Sequence, residues 1–115
     1  MSTDSHYDAD DLVRGFREVG LRPGDLVFSH VGLGMLGLPR DEPTEENAAA
    51  LVDEAFANVL GPAGTLVVPT YSYTYTKQGE VYDPATTPSD VGPFTNHFRT
   101  RQGVRRSLDP IFSVA

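Results

Sequence analysis

Apolar residues recur at helical spacing in two stretches of the first half of the chain. The first stretch, residues 10–19, predicts a helix that ends at Gly20. The apolar stripe of this helix consists of Leu12, Val13, Phe16 and Val19. The second stretch predicts a longer helix that begins after the N-cap Thr44 and ends near Leu60. Its continuous apolar face consists of Ala48, Leu51, Val52, Ala55, Phe56 and Val59.

Two short apolar runs lie on either side of the longer helix. Residues 26–29 follow a Pro-Gly turn, and residues 65–68 follow a second turn that is rich in glycine. Both runs are predicted to be buried strands. The order strand, helix, strand predicts a parallel and right-handed βαβ unit, which assigns the chain to the α/β class.

The pattern changes after the second strand. Tyrosines at 71, 73 and 75 alternate with Ser72, Thr74 and Thr76, which is a period of two with one aromatic face. Further on, Ser89 is a suitable N-cap for a last helix that ends near residue 101. Phe94 and Phe98 would lie on the inner face of that helix.

Composition narrows the classes of function. The 115 residues fit one domain, with sixteen acidic residues against nine basic ones and a formal net charge of −7. This charge argues against a nucleic-acid partner, because neutralising phosphates requires clustered Lys and Arg. The charge either serves solubility alone or attracts a polycationic substrate.

Several classes of site and location are excluded or disfavoured. The chain has no cysteine, so we expect no disulfide, no thiolate metal site and no cysteine nucleophile, and we assign no metal. No apolar run approaches the length of ~20 residues that a membrane span requires. The first residues are acidic and polar, unlike a signal peptide, so we expect a cytoplasmic protein without a membrane partner.

Two loops follow the predicted strands and should meet at one edge of the sheet, where open α/β sheets bind ligands. Residues 29–37 are rich in glycine, and their backbone N–H groups could hold a phosphate or an amide carbonyl. The alternative is a tight packing turn. Residues 69–73 form the second loop, which is either an aromatic pocket wall or a hairpin with an aromatic packing face.

Individual polar residues also leave alternatives open. Asp83 and Asp109 both precede a proline, so each is either a turn residue or an acid that fixes a ligand ammonium. His30 is either a general base or a hydrogen-bonded structural residue. His97 and His6 are expected to face solvent.

Three segments carry a resemblance to a known family. Residues 61–70 read Gly-Pro-Ala-Gly-Thr-Leu-Val-Val-Pro-Thr, and residues 87–89 read Thr-Pro-Ser. Residues 104–115 read Val-Arg-Arg-Ser-Leu-Asp-Pro-Ile-Phe-Ser-Val-Ala. The series resembles the antibiotic N-acetyltransferase family, whose best-known members are the aminoglycoside 3-N-acetyltransferases, with the patterns GPxGTLVxPTF, TPS and GVxRSxHPxxSVA.

The resemblance implies a three-layer α/β/α fold around a mixed sheet. Residues 1–115 would be the N-terminal portion of a single acetyltransferase domain. The implied reaction moves an acetyl group from acetyl-CoA to an amino group of an aminoglycoside or related amino sugar. The alternatives are an acetyltransferase of a biosynthetic amine, a truncated non-catalytic remnant, and an unrelated α/β binding domain. The implied partner is a small-molecule amine, and self-association into a homo-oligomer is compatible with the sequence.

The resemblance also implies site residues. The acetyl-CoA site would consist of His30, Val31, Gly32, Leu33, Ser113 and Val114. The acceptor site would consist of Tyr71, Tyr73, Asp83 and Asp109. Family members carry two serines where this chain has Val31 and Gly32, and most carry a histidine at position 109.

The same resemblance bears on three further assignments. Ser113 either lines the acetyl-CoA channel or is a packing residue. The pair Arg105-Arg106 would either hold a phosphate of CoA or be solvated in a loop. The catalytic histidine of the family, which is paired with a glutamate, would lie beyond position 115, so no catalytic residue is assigned.

Overall fold

The computed structural model describes residues 6–74, 77 and 79–115. In chain order, the elements are α1 (Ala9–Glu18), β1 (Leu26–Phe28), α2 (Leu33–Leu36), α3 (Glu45–Leu60), β2 (Thr65–Val67) and α4 (Pro93–Arg99). No helix in this described part of the chain is both long enough and apolar enough to span a membrane.

The predicted βαβ unit is confirmed. Strands β1 and β2 pair in parallel, with Leu26 opposite Thr65 and Phe28 opposite Val67. Helix α3 lies in the connection between them, with the short α2 before it. The parallel pairing brings the loops that follow β1 and β2 to the same edge of the sheet.

Helix α3 forms the centre of the core and has the predicted start and end. The hydroxyl of Thr44 accepts a hydrogen bond from the backbone N–H of Asn47 at 3.1 Å, as expected of an N-cap. Gly61 ends the helix at φ 67°, a conformation that glycine adopts without a Cβ penalty. The buried residues of α3 include Ala48, Val52, Ala55, Phe56 and Val59.

Helix α1 packs against α3 through stacked rings. The centroids of Phe16 and Phe56 are 4.2 Å apart. Asp8 caps the helix and exchanges hydrogen bonds with Asp11, forming a capping box. Val19, predicted to lie on the apolar stripe, is 79% exposed because it occupies the C-cap, where the helical direction ends.

The prediction that β1 is buried is wrong for one face. Val27 packs against the core, whereas Leu26 and Phe28 are 75% and 59% exposed. Alternate strand residues face opposite sides of a sheet, and the helices cover only the side of Val27. We call Leu26, Phe28, Thr65 and Val67 the outer sheet face. The α/β class is confirmed, and the three-layer arrangement stays a prediction.

The last helix begins later in the chain than predicted. Helix α4 begins after Gly92, with Pro93 at its first position and no side-chain cap. Ser89 is therefore not the N-cap, and its hydroxyl instead bonds the hydroxyl of Thr95 at 2.7 Å. Phe94 and Phe98 are buried, as predicted.

The end of the chain pairs with the segment that follows β2. Backbone hydrogen bonds join Val68 and Ala115 in both directions, at 2.8 and 2.9 Å. Pro69 and Val114 form an antiparallel bridge, and Thr70 N–H donates to the carbonyl of Ser113 at 2.9 Å. The two segments that carry sequence motifs are thus held side by side.

Candidate functional site

The residues that precede α4 connect the two loops at the sheet edge. His30 Nε2 lies 2.9 Å from the carbonyl oxygen of Val91. The backbone N–H of Asp90 donates to the carbonyl of Tyr71 at 2.8 Å. The loop after β1 and the segment after β2 are therefore tied to adjacent residues of one connector, which confirms the expectation that they meet.

The contact of His30 shows one of its two predicted roles. A carbonyl oxygen only accepts hydrogen bonds, so Nε2 must carry the proton and donate it to Val91. The side chain thus makes the structural hydrogen bond that the sequence predicted as one alternative, and a role of His30 as general base stays a prediction.

The loop after β1 lines a cavity of about 230 Å³. The residues of the loop that contribute to it are Ser29, His30, Val31, Gly32, Met35 and Leu36, and the opposite walls come from α1 and α3. A Cβ at Gly32 would lie 3.8 Å from the Met35 side chain, an ordinary contact distance. Leu33 is buried in the core, so only its backbone can serve a ligand here.

A buried polar cluster lies where the segment after β2 meets the end of the chain. The hydroxyl of Ser113 donates to the carbonyl of Thr70 at 2.8 Å, and the hydroxyl of Thr70 donates to Ser113 Oγ at 3.2 Å. Both side chains are fully buried. Ser113 thus has the packing role, because its proton is engaged and its oxygen does not reach solvent.

Arg106 completes this cluster. Its Nε donates to Thr70 Oγ1 at 3.1 Å and to Ser113 Oγ at 3.2 Å, and its Nη2 donates to the Thr70 carbonyl at 2.7 Å. Its Nη1 bonds the carbonyl of Thr87, and its guanidinium lies 5.1 Å from the ring centroid of Tyr82. Burial lowers the pKa of Arg106 from its ordinary value.

The prediction of a solvated arginine pair is therefore wrong for Arg106, whereas Arg105 is exposed. The planar guanidinium presents several donors in a fixed fork, which suits the convergence of carbonyl and hydroxyl oxygens from three segments. The family pattern GVxRSxHPxxSVA places its arginine at position 106 and a variable residue at position 105, which was the available signal for this assignment.

The alternation of tyrosines and hydroxyl residues has an unexpected orientation. Thr70, Ser72 and Thr74 are buried, while Tyr73 is 37% exposed and Tyr71 is half-buried. The hydroxyls are bonded inside, with Ser72 Oγ at 2.6 Å from Thr74 Oγ1. The polar face thus points inward and the aromatic face points toward solvent. The predicted third tyrosine of this face, Tyr75, lies outside the described residues.

Three rings meet on the outward side. Tyr71 and Phe112 lie edge to face with centroids 5.2 Å apart, and Tyr73 is 5.9 Å from Phe112 and 6.3 Å from Tyr71. We call these three residues the aromatic platform. Phe112, which was not among the predicted site residues, is 57% exposed. Neighbouring residues of a paired, extended segment point to opposite sides, so the inward direction of Ser113 places Phe112 outside.

Asp109 lies beside the platform in sequence and bonds its backbone. Its Oδ1 accepts hydrogen bonds from the N–H groups of Ile111 and Phe112, both at 2.8 Å. These two bonds, that of Phe112 first, hold the pKa of Asp109 below 3.8. The side chain is exposed and negatively charged, and it combines the turn role with the capacity to attract a cation.

Asp83 lies in a separate turn. Its Oδ1 accepts from the N–H of Ala85 at 2.9 Å, and its carbonyl accepts from Thr86 and Thr87. These contacts show the turn role that the following proline suggested. Its role toward an acceptor stays a prediction.

The sequence analysis did not predict an ion pair between α3 and the residues that follow α4. Asp53 is 7% exposed, and its Oδ1 accepts from Arg101 Nη1 at 2.7 Å, while His97 Nε2 lies 3.7 Å from Oδ2. The expectation that His97 faces solvent is thus corrected, since it is half-buried against Asp53. The signal was an acid on the apolar face of a long helix. Within the described ranges, no group of three or more His, Cys, Asp or Glu could hold a metal ion.

Comparison with known proteins gives one family. The family described as aminoglycoside 3-N-acetyltransferase matches residues 41–115. Aminoglycoside N(3)-acetyltransferase IV from a Salmonella species is 31% identical over 107 residues, which cover 91% of this chain and 38% of that enzyme.

Solved structures have the same fold over this region. A variant of aminoglycoside acetyltransferase AAC(3)-IVa in complex with gentamicin has a TM-score of 0.79 at 27% identity, covering 100% of this chain and 41% of that chain. The YokD protein from Bacillus subtilis has a TM-score of 0.81 at 22% identity, covering 95% and 46%. The chain thus spans about two fifths of the length of the Salmonella enzyme and of AAC(3)-IVa.

Proposed function

Because the chain belongs to the aminoglycoside 3-N-acetyltransferase family, we propose that it supplies part of the site of an acetyl-CoA-dependent N-acetyltransferase. The acceptor is an amino group of an aminoglycoside or related amino sugar. The observation that carries the proposal is the junction of the two loops, where His30 bonds Val91 and the adjacent Asp90 bonds Tyr71. This junction sets the proposed acetyl-CoA segment and the proposed acceptor segment beside each other.

The proposed reaction is a direct transfer. The amine nitrogen attacks the thioester carbonyl carbon, a C–N bond forms, the C–S bond breaks, and the amine proton passes to a general base as CoA leaves. Such a step depends on proximity and on stabilisation of the developing oxyanion. A covalent intermediate on Ser113 does not enter the scheme, because its hydroxyl is fully buried and donates to Thr70.

We assign the acetyl-CoA side to the backbone of the loop after β1 and to the end of the chain. His30, Val31, Gly32 and Leu33 would offer N–H groups to the amide carbonyls of pantetheine, and the cavity of about 230 Å³ gives this loop open space on one side. Ser113 and Val114 would lie beside the same channel, where the buried hydroxyl of Ser113 holds the segment to the carbonyl of Thr70. His30 acts there by fixing the loop to Val91.

We assign the acceptor side to Tyr71, Tyr73, Asp83 and Asp109. The exposed ring of Tyr73 and the charged carboxylate of Asp109 support this assignment. Asp109 stands where most family members carry a histidine. This difference favours, as a second candidate function, acetylation of a different amine by the same chemistry.

The test joins residues 1–115 to the part of the Salmonella enzyme that lies beyond the matched region. Release of the CoA thiol is then measured with acetyl-CoA and gentamicin, followed by a panel of amines. We expect thiol release that requires the amine, and none from the Salmonella portion alone. A folded fusion that acetylates no amine, or that prefers an alcohol acceptor, would contradict the proposed function.

A further inference from the structure

We propose that the aromatic platform of Tyr71, Tyr73 and Phe112 binds the apolar face of a saturated sugar ring, whose ammonium group pairs with Asp109. The inference rests on the proposed function for its acceptor class. It adds Phe112 as a residue that determines specificity. The ligand class is an amino sugar unit, with a ring to stack and a cation to pair.

The exposure of Phe112 requires an explanation. The side chain is 57% exposed, whereas the adjacent Ser113 is fully buried. Leaving a phenylalanine side chain in water forgoes up to about 1.5–3 kcal/mol of burial free energy. The polarity of the segment is inverted, with hydroxyls inside and rings outside, so that Phe112 and the two tyrosine rings form a cluster that a ligand can contact.

The backbone beneath the platform is already fixed. The N–H of Tyr73 donates to the carbonyl of Ile111 at 3.4 Å, and Thr70 N–H donates to Ser113. Below the rings, Ser72 bonds Thr74, and Arg106 bonds Thr70 and Ser113. A ligand would therefore meet rings whose segments are ordered in advance, which lowers the entropic cost of binding.

Tyr73 adds a strained position. Its φ is 54°, in the left-handed region that residues with a Cβ seldom adopt. Such conformations cost of order 1–3 kcal/mol and cluster at active sites, ligand clamps and switch regions. Here the strained residue directs one ring of the platform toward Phe112, with centroids 5.9 Å apart.

The charges around the platform favour a cation. Asp109 Oδ1 accepts from two backbone N–H groups, and these bonds lower the pKa of the carboxyl group and so favour its charged form. The nearby cation Lys77 is neutralised by Asp90 at 2.6 Å, and Arg106 is engaged on the inward side. Ring faces carry negative potential, so they attract an ammonium as well as the polarised C–H groups of a sugar.

The test uses the 115-residue chain in solution and three probes. Glucosamine carries the ring and the charge, glucose carries the ring alone, and ethanolamine carries the charge alone. Amide and aromatic NMR shifts are followed during titration. We expect glucosamine to bind several-fold more tightly than either of the others, with the largest shifts at Tyr73 and Phe112. Equal affinities for glucosamine and ethanolamine would overturn the stacking role.

Variants at position 112 distinguish a contribution of the Phe112 ring to binding from an effect on the fold. Phe112→Leu keeps apolar bulk without a π face, and we expect it to weaken glucosamine binding about two- to fivefold, the scale of an exposed cation–π contact. Phe112→Tyr should bind as the parent does. The matched control is Phe28→Leu on the outer sheet face, where the phenylalanine is 59% exposed and no effect is expected. Equal weakening by Phe112→Leu and Phe28→Leu would overturn the proposal.

Failure of this inference is distinguishable from failure of the proposed function. Acetyl transfer by the fusion with the Salmonella enzyme is compared for the parent and for Phe112→Leu. Unchanged acceptor KM in Phe112→Leu overturns the platform and leaves the transferase function intact. Binding of glucosamine to the platform without acetyl transfer supports the platform and contradicts the transferase function.

Discussion

Arg101, which follows the last helix, pairs with Asp53 of the central helix. Arg101 Nη1 donates to Asp53 Oδ1 at 2.7 Å, and only 9% of the Asp53 side chain is exposed. His97 Nε2 lies 3.7 Å from the other carboxylate oxygen of Asp53. Helix α4 also buries Phe94 and Phe98, and it follows the connector that bonds His30 and Tyr71. The ion pair thus helps to set the position of that connector.

Replacement of Arg101 should destabilise the fold. Arg101→Ala leaves a buried carboxylate with a weaker partner, so we expect a loss of about 1–3 kcal/mol in the free energy of unfolding. Urea denaturation measures this loss. Arg105→Ala removes an exposed arginine nearby and should change the free energy by less than about 0.5 kcal/mol. Equal effects of the two substitutions would show that the ion pair contributes nothing.

Arg106 should not tolerate a lysine. The ammonium of lysine cannot donate at once to Thr70, Ser113 and the carbonyl of Thr87, as the guanidinium does. We expect Arg106→Lys to lower the free energy of unfolding by about 1.5–3 kcal/mol, the range for hydrogen bonds to charged groups. Arg105→Lys is the matched control in a thermal or urea melt. An unchanged free energy of unfolding in Arg106→Lys would contradict the role of Arg106 in holding the segments beneath the platform together.

The loop after β1 can be blocked without straining its backbone. Gly32 has φ −97°, which valine adopts, and a Cβ there meets only the Met35 side chain within 4 Å. If the loop holds pantetheine, Gly32→Val should weaken CoA binding tenfold or more, or about 1.4 kcal/mol. Calorimetry with CoA measures this change.

The control for this substitution is Gly15→Val on α1, where a new Cβ meets nothing within 4 Å. This variant should bind CoA as the parent does. Equal affinity of the Gly32→Val variant and the parent would contradict the assignment of the acetyl-CoA side to this loop.

The hydrogen bonds that Asp109 accepts should make its contribution to stability depend on pH. The folded pKa of Asp109 lies below its ordinary value of 3.8, because the ionised form accepts bonds from Phe112 and Ile111. Stabilisation from a depressed pKa is fully present above pH 3.8 and is lost as the pH falls through the folded pKa. The Tm difference between parent and Asp109→Ala should therefore be constant at neutral pH and shrink in acid.

Thermal melts from pH 7 to pH 2 measure this difference. Asp83→Ala is a useful comparison, because Asp83 also accepts a turn bond, from Ala85. A Tm difference for Asp109→Ala that grows as the pH falls would contradict the bonding of the ionised carboxylate.

The outer sheet face should make the chain self-associate in isolation. Leu26 and Phe28 lie exposed on it, and Val67 is half-buried beside them. Apolar area of this kind is favourably removed from water by a second copy. Sedimentation should show association that depends on concentration, and Phe28→Ser should reduce it. Val19→Ser, at the C-cap valine of α1, which is 79% exposed, should leave association unchanged. A sharp thermal transition of a monomer at all concentrations would contradict the prediction of self-association.

Local patterns in the sequence determined the central unit. The apolar face of α3, the N-cap Thr44 and the stop at Gly61 are encoded within one stretch of chain, and the structure has each of them. The parallel pairing of β1 and β2 followed from the order of elements. These features depend on short-range spacing and backbone chemistry, which a sequence displays directly.

Tertiary structure alone decided which side of each segment faces water. The exposure of Leu26 and Phe28 depends on which face the helices cover. The alternating tyrosines could have pointed inward, and only pairing with the end of the chain buried the hydroxyls of Thr70 and Ser113 instead. Arg106 was drawn inward while Arg105 stayed in solvent. Such choices depend on partners tens of residues away, whose positions are fixed only when the whole chain packs.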